Sequence, residues 1–242
     1  MYSTYMFAIV FSTYCFINWL SRYLFFNNPN SYLMGVPMPF KFDWKIIFSM
    51  FLVALLQFLM VRIIDEFKDY EEDCKYRPYR PVPRGLITLK ELKFLFIICI
   101  ILQTSITLIV SPDAIFLLFT VWLFFSIMSK SFFMKKILDE HILLEVTFDE
   151  LLMPVLIAYL SVFPFGSISS FIVSKYFYLF LTMSYVISWI VEVARKIRCK
   201  DDEENGVKTY TAVFGIKKAT FLLSVLETIL TIIQVSIIGR IK

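Results

Sequence analysis

The sequence predicts an all-α fold, a polytopic transmembrane helical bundle of about seven spans, and three observations predict it. Of 242 residues, 59% are hydrophobic and 18% charged, with a mean hydropathy of +0.73. Soluble domains carry about 45–50% apolar and about 25% charged residues, and none of this length has an interior large enough for so much apolar surface. The apolar residues come in blocks near the roughly 17–25 residues that cross a bilayer. The basic residues gather in alternate loops. The 27 Phe, 13 Tyr and 4 Trp suit lipid-facing and interfacial positions. With only 6 Gly, close packing through small-residue motifs is not the main device. The net charge of +4 is modest, and the basic residues lie between spans, so no nucleic-acid partner is expected.

Taken in order, the expected spans are Tyr5–Phe26, Trp44–Ile64, Leu92–Val110, Ala114–Met128, Leu151–Phe163 (with a start near Leu143 as the longer alternative), Tyr176–Val191 and Ala219–Ile238. The first has neither a basic flank before it nor a small-residue cleavage site, so it reads as a retained helix. The loops after the second, fourth and sixth spans hold 7, 3 and 7 Lys and Arg, against 6 in the remaining loops and ends. The positive-inside rule puts those three loops in the cytosol. Residues 1–242 read as one integral-membrane domain with cytosolic loops at 65–93 and 192–218. Cys15, Cys74, Cys99 and Cys199 form no C-x-x-C pair and imply neither a disulfide framework nor a zinc site.

The second span runs straight into Asp65-Glu66-Phe67-Lys68-Asp69-Tyr70-Glu71-Glu72-Asp73. On a helix, Asp65, Glu66, Asp69 and Asp73 fall within an arc of roughly 100°. Like charges at that spacing repel, and a divalent cation removes the penalty; magnesium (Mg2+) takes such carboxylates together with phosphate oxygens. The plain alternative is a solvated acidic helix end. Next comes Arg77-Pro78-Tyr79-Arg80-Pro81-Val82-Pro83-Arg84-Gly85, where prolines forbid a regular helix. Arg77 or Arg80 can present a planar donor fork to phosphate; Arg84 reads better as a charge that sets topology.

The sixth span ends in Glu192-Val193-Ala194-Arg195-Lys196-Ile197-Arg198, followed by Asp201-Asp202-Glu203-Glu204 and Gly206-Val207-Lys208-Thr209. Glu192 and Lys196 are spaced for an i,i+4 ion pair, but a carboxylate at the end of an apolar helix also needs a partner for functional reasons. Arg195, Lys196 and Arg198 suit a diphosphate or anionic lipid headgroups equally.

These two stretches resemble the UbiA-type intramembrane prenyltransferases. That family carries N-D-x-x-D-x-x-x-D at the end of its second helix and then R-P-x-x-x-G. The spacing matches Asp65-Glu66-x-x-Asp69-x-x-x-Asp73 and Arg80-Pro81-x-x-x-Gly85. Asp65 replaces the family Asn, and Glu66 replaces an Asp. The family's second motif, D-x-x-x-D followed by G-x-x-T-x-x-x-x-x-G, matches at Asp202, Gly206, Thr209 and Gly215. Its first Asp falls on Arg198, so either Glu192 supplies that carboxylate with extra residues between, the favoured reading, or this branch uses a different arrangement. Family members generally have nine spans; here one span follows the second motif, so the last two family helices are missing. The bundle is then a shorter one, one completed by a second copy as a homo-oligomer, or a truncated one.

The resemblance implies Mg2+ held by Asp65, Glu66, Asp69, Asp73, Glu192 and Asp202, with Asp69, Asp73 and Arg80 in the chemistry. Arg77, Arg80, Lys130, Lys196 and Arg198 would bind the diphosphate. Lys135 and Lys136 share the middle loop with Lys130. The expected partners are an isoprenyl diphosphate, a lipophilic acceptor (an aromatic or quinone precursor, or a lipid) and the lipid bilayer. A membrane terpene cyclase that needs no acceptor is one alternative, and a divalent-cation transporter is another. The lone histidine, His141, lies near Glu140, Glu145, Asp149 and Glu150 and reads as a loop residue. Glu227 is embedded in the seventh span with no partner evident in the sequence.

Overall fold

The computed structural model describes residues 43–129, 140–164, 175–199 and 209–238, with Thr13, Cys15, Ile137, Asp201 and Glu203 besides. The expected span Tyr5–Phe26, apart from Thr13 and Cys15, and the candidate residues Lys130 and Asp202 lie outside them. The described residues are helical throughout, joined by turns: α1 Trp44–Lys68, α2 Tyr70–Tyr76, α3 Leu89–Val110, α4 Ile115–Met128, α5 Ile142–Asp149, α6 Leu152–Ser161, α7 Lys175–Arg195, α8 Tyr210–Phe214 and α9 Ile216–Ile238.

Local sequence explains most of the boundaries. The Asp43 carboxylate accepts from the Lys45 N–H and starts α1. Thr88 and Glu91 form a reciprocal capping box that starts α3. The span expected over Leu151–Phe163 is present as α6 and its closing turn, whereas the longer alternative from Leu143 is divided into two helices, α5 and α6. Pro154 sits in the first turn of α6 and has no N–H to give the Glu150 carbonyl, so the chain passes Glu150 and Leu151 in tight turns.

Helices α1, α3, α7 and α9 are long and apolar enough to cross a membrane. Helices α4 and α6, at 14 and 10 residues, are shorter than a bilayer core. α3 packs on α1, α4 on α6, α6 on α7, and α7 on α9. The main core gathers Met50, Val53, Met60, Leu118, Leu156 and Phe177 from four of them.

Besides this apolar core, several helices turn large apolar side chains outward. In α3 the buried stripe is Cys99, Gln103 and Thr107, while Phe94, Ile101, Leu108 and Ile109 are exposed. Only 6% of the most apolar window of α9 is buried. Such faces are tolerable only against lipid. Several polar groups inside are paired across helices: Gln103 Nε2 donates to Gln57 Oε1, Trp122 Nε1 to Gln103 Oε1, and the Thr107 hydroxyl pairs with Tyr159, while the buried Gln57 Nε2 has no partner among the described residues.

Gly85 and Gly215, the two motif glycines described, have φ of +78° and +79°. Nothing stands within 4 Å of where a Cβ would sit, so the requirement is purely conformational. Gly85→Ala and Gly215→Ala should each lose about 1 kcal/mol, read as a drop in unfolding temperature in detergent. An unchanged unfolding temperature would refute the assignment.

Candidate functional site

The first acidic motif is built on a nearly continuous helix. The Asp69 N–H bonds the Asp65 carbonyl at 2.9 Å and the Asp73 N–H bonds the Asp69 carbonyl at 2.8 Å. Helical pitch therefore survives the break between α1 and α2, and Asp65, Asp69 and Asp73 follow one another at four-residue steps. Their neighbours differ. Glu66 is buried and pairs with Arg62, one turn earlier. Asp73 is 2% exposed and is held by Arg77 Nη1 at 3.3 Å and Arg80 Nη1 at 2.5 Å. Asp69 keeps a carboxyl raised above its ordinary range by burial, with Asp73 and Glu72 adding to Lys68 and Arg80 subtracting. The arginine loop is fixed from below, because Val82 is buried against Ile63 and Leu92.

The second motif begins where α7 ends. Glu192 is buried and paired with Arg195 and with Lys196 Nζ at 2.7 Å, so the expected i,i+4 ion pair is present. The Arg198 N–H donates to Thr211 Oγ1 at 3.1 Å. Thr209 caps α8, and the hydroxyls of Thr209 and Thr211 donate to the Glu203 carboxylate. In this segment Glu203 thus shapes the turn into α8.

A third element joins the two. Helix α5 carries Glu145 and Asp149 one turn apart, and Glu150 follows. Lys68, from the first motif, reaches Glu145 at 3.6 Å and Asp149 at 3.8 Å. Asp149 is pushed up to about 6 by burial, by Glu145 and by Glu192, against the pull of Lys68 and Lys196. Glu150 is pushed up to about 7, first by burial and then by Glu192 and Asp149, opposed by a hydrogen bond with Ser188 and by Arg195. Asp149 also acts on Asp65. One carboxylate thus feels charges from both motifs, so the C-terminal ends of α1 and α7 share one end of the bundle. The Tyr210 hydroxyl, fully buried and without a hydrogen-bond partner among the described residues, lies within the field of Glu192, Glu150 and Glu145.

Below this end lies a cavity of about 690 Å³. Its walls are helical stripes of α1, α3 and α4. Lys68, Lys93 and Ser129 line it at the acidic end, and Met60, Ile100 and Trp122 at the other. The space is apolar along most of its length and cationic at one end.

Among the candidates read from sequence, the described Asp65, Glu192 and Lys196 meet around Asp149, and Asp69 lies one turn from Asp65 and acts on it. Glu66 and Asp73 are turned to arginines of their own segment. Lys68, Glu145, Asp149, Glu150 and Tyr210 were not singled out. For Glu145 and Asp149 a signal existed: like charges at i,i+4, the pattern that marked Asp65 and Asp69.

Among the described residues no three carboxylates, histidines or cysteines are gathered into a ready metal cage. The donor set nevertheless fits magnesium, which is commonly held by one or two carboxylates plus substrate phosphates. The half-buried carboxylate of Asp65 is repelled by Asp69 and by Asp149, and a hard cation would relieve that repulsion. The sequence model of the UbiA prenyltransferase family matches residues 31–239. No curated protein and no solved structure matches the chain.

Proposed function

The chain belongs to the UbiA prenyltransferase family, and from that premise we propose that it is a magnesium-dependent integral-membrane prenyltransferase. On this reading it ionises an isoprenyl diphosphate and passes the prenyl group to a lipophilic acceptor, an aromatic or quinone precursor or a lipid. The carrying observation is the meeting of both motif ends around Asp149, directly above an apolar cavity with lysines at its mouth.

The bond between the allylic carbon and the diphosphate oxygen breaks, and its electron pair leaves with the diphosphate. The acceptor then forms a bond to that carbon and gives up a proton. Asp65 and Asp69 on one side, with Glu192 and Asp202 on the other, would hold the metal. Magnesium, when bound, neutralises charge on the leaving diphosphate. Lys68, Lys93 and Lys196, with Lys130 and Arg198, supply cationic donors for the phosphate oxygens. The apolar cavity walls keep water from the allylic cation. Arg77 and Arg80 act through Asp73, holding the motif helix in place, and Arg80 stands close enough to Asp69 to influence its charge.

Two further parts belong to the same reading. Residues 1–242 form one integral-membrane domain, and the motif end faces the cytosol, on the positive-inside excess of its loops. The acidic groups gather at one end of the bundle and not at mid-membrane, which argues against a cation transporter.

The test is product analysis with prenyl diphosphates, with and without acceptor, in the presence and absence of magnesium. Diphosphate release should require magnesium and fall about 100-fold or more in Asp69→Ala. Full release without divalent metal, or an unimpaired variant, would sink the reading. Products formed without acceptor would move it to a terpene cyclase.

A further inference from the structure

We propose that Trp122 is the floor of the prenyl-binding cavity and limits the substrate to short chains, near ten carbons. This rests on the prenyltransferase reading and adds a chain length to it.

The cavity is half-open, charged only at its acidic end, and has Ser126 as its one polar lining residue between that end and Trp122. From Lys68 down to Met60 is eight residues of α1, about 12 Å of helix. The α3 stripe, from Lys93 to Ile100, and the α4 stripe, from Ser129 back to Trp122, cover nearly the same depth. An occupant therefore has an anionic head and an apolar tail of limited length. A five-carbon isoprene unit, four single-bond lengths of about 1.5 Å in zigzag, extends about 5 Å. Two units fit between the lysines and the floor, and a third meets the indole.

An unsecured tryptophan would swing aside for a longer tail. Trp122 is secured: its Nε1 donates to Gln103 Oε1 at 3.1 Å, and Gln103 Nε2 donates to Gln57 Oε1 at 2.5 Å. Both glutamines are fully buried, one helical turn beyond Met60 and Ile100 on their own helices. Turning the indole away leaves Gln103 unsatisfied in an apolar interior, where a lost hydrogen bond is costly. Phe119 adds an edge-on contact with the Trp122 ring, centroids 5.6 Å apart. A buried glutamine pair of this kind contributes little to an apolar core except the fixed position of what it holds. Trp122 is thus the specificity-determining residue, and Gln103 a positioning residue that acts through it.

The experiment uses the full chain in lipid nanodiscs with magnesium. Thermal stabilisation is measured with inorganic diphosphate and with unreactive thio-linked prenyl diphosphates of ten, fifteen and twenty carbons. The parent should respond most to the ten-carbon compound. Trp122→Ala should shift the ratio of twenty- to ten-carbon affinity by at least about tenfold toward the longer chain. Gln103→Leu, which frees the indole without removing it, should shift the ratio the same way by a smaller factor; a merely structural role would lower stability and leave the ratio alone. Trp122→Leu repeats the test should the alanine variant fail to fold. An unchanged chain-length ranking in Trp122→Leu and Gln103→Leu overturns the floor while leaving the prenyltransferase reading standing. A parent that responds to the prenyl compounds no more than to inorganic diphosphate overturns both.

Discussion

Asp73→Ala should destabilise the protein by about 3 kcal/mol, whereas Asp69→Ala should leave stability nearly unchanged and remove activity. The two aspartates sit four residues apart on the same helical face and are matched alike by the family motif, so a reading from spacing alone assigns them one role. Their surroundings differ. Asp73 is almost completely enclosed and carries the positive charge of both Arg77 and Arg80. Removing it takes away the buried carboxylate that both guanidinium groups share beside a proline-rich loop that cannot rearrange freely. Asp69 is raised above the normal carboxylate range by burial and by its acidic neighbours, so its loss relieves repulsion. Thermal unfolding in detergent separates the two. A cycle of Asp73→Ala with Arg80→Ala should be strongly non-additive, the double variant losing little more than Asp73→Ala alone. Equal and small stability losses for the two aspartate variants would show that Asp73 does not clamp the loop.

Stability should also fall as pH rises, which runs against the usual behaviour of paired carboxylates. Asp149 and Glu150 have folded values of about 6 and about 7, against ordinary values near 4. A raised acid is favoured by the fold in its protonated form. Its contribution is therefore complete below the unfolded value and lost as pH climbs through the folded one. The window is pH 4 to about 7, and the loss is on the order of 3 kcal/mol for each of the two groups. Asp149→Asn with Glu150→Gln should flatten the profile across that window and raise the unfolding temperature at pH 8. Magnesium should do the same for the parent at pH 8 and nothing at pH 5, since the cation competes only with a proton already gone. Identical profiles for parent and double variant would dispose of this account.

How much of this was legible in the sequence depends on how local each feature is. Helices α1, α3, α7 and α9 could be read to within a few residues, because a run of apolar side chains between charges declares its own length. The first motif was legible for the same reason: Asp65, Asp69 and Asp73 are neighbours on one helix. Asp149 was not, since its importance comes from Lys68, some eighty positions earlier, and Glu192, some forty later. Composition marks a membrane helix but not which of its faces is inward. In α3 the inward face is Cys99-Gln103-Thr107, and a reading trained on buried hydrophobes would choose the opposite one. The start of α6 was legible at Leu151, but the longer alternative from Leu143 stayed open although Pro154 argues against it, because apolar residues continue on both sides.

Val82 lends the proline-arginine segment a character that its exposed position would not suggest. With its side chain wedged between Ile63 and Leu92, the segment is riveted to the bundle and lacks the slack of a hinged cover. On the proposed function, a greasy substrate would then enter sideways, between lipid-washed helices, and the spent pyrophosphate would depart over some other part of the rim.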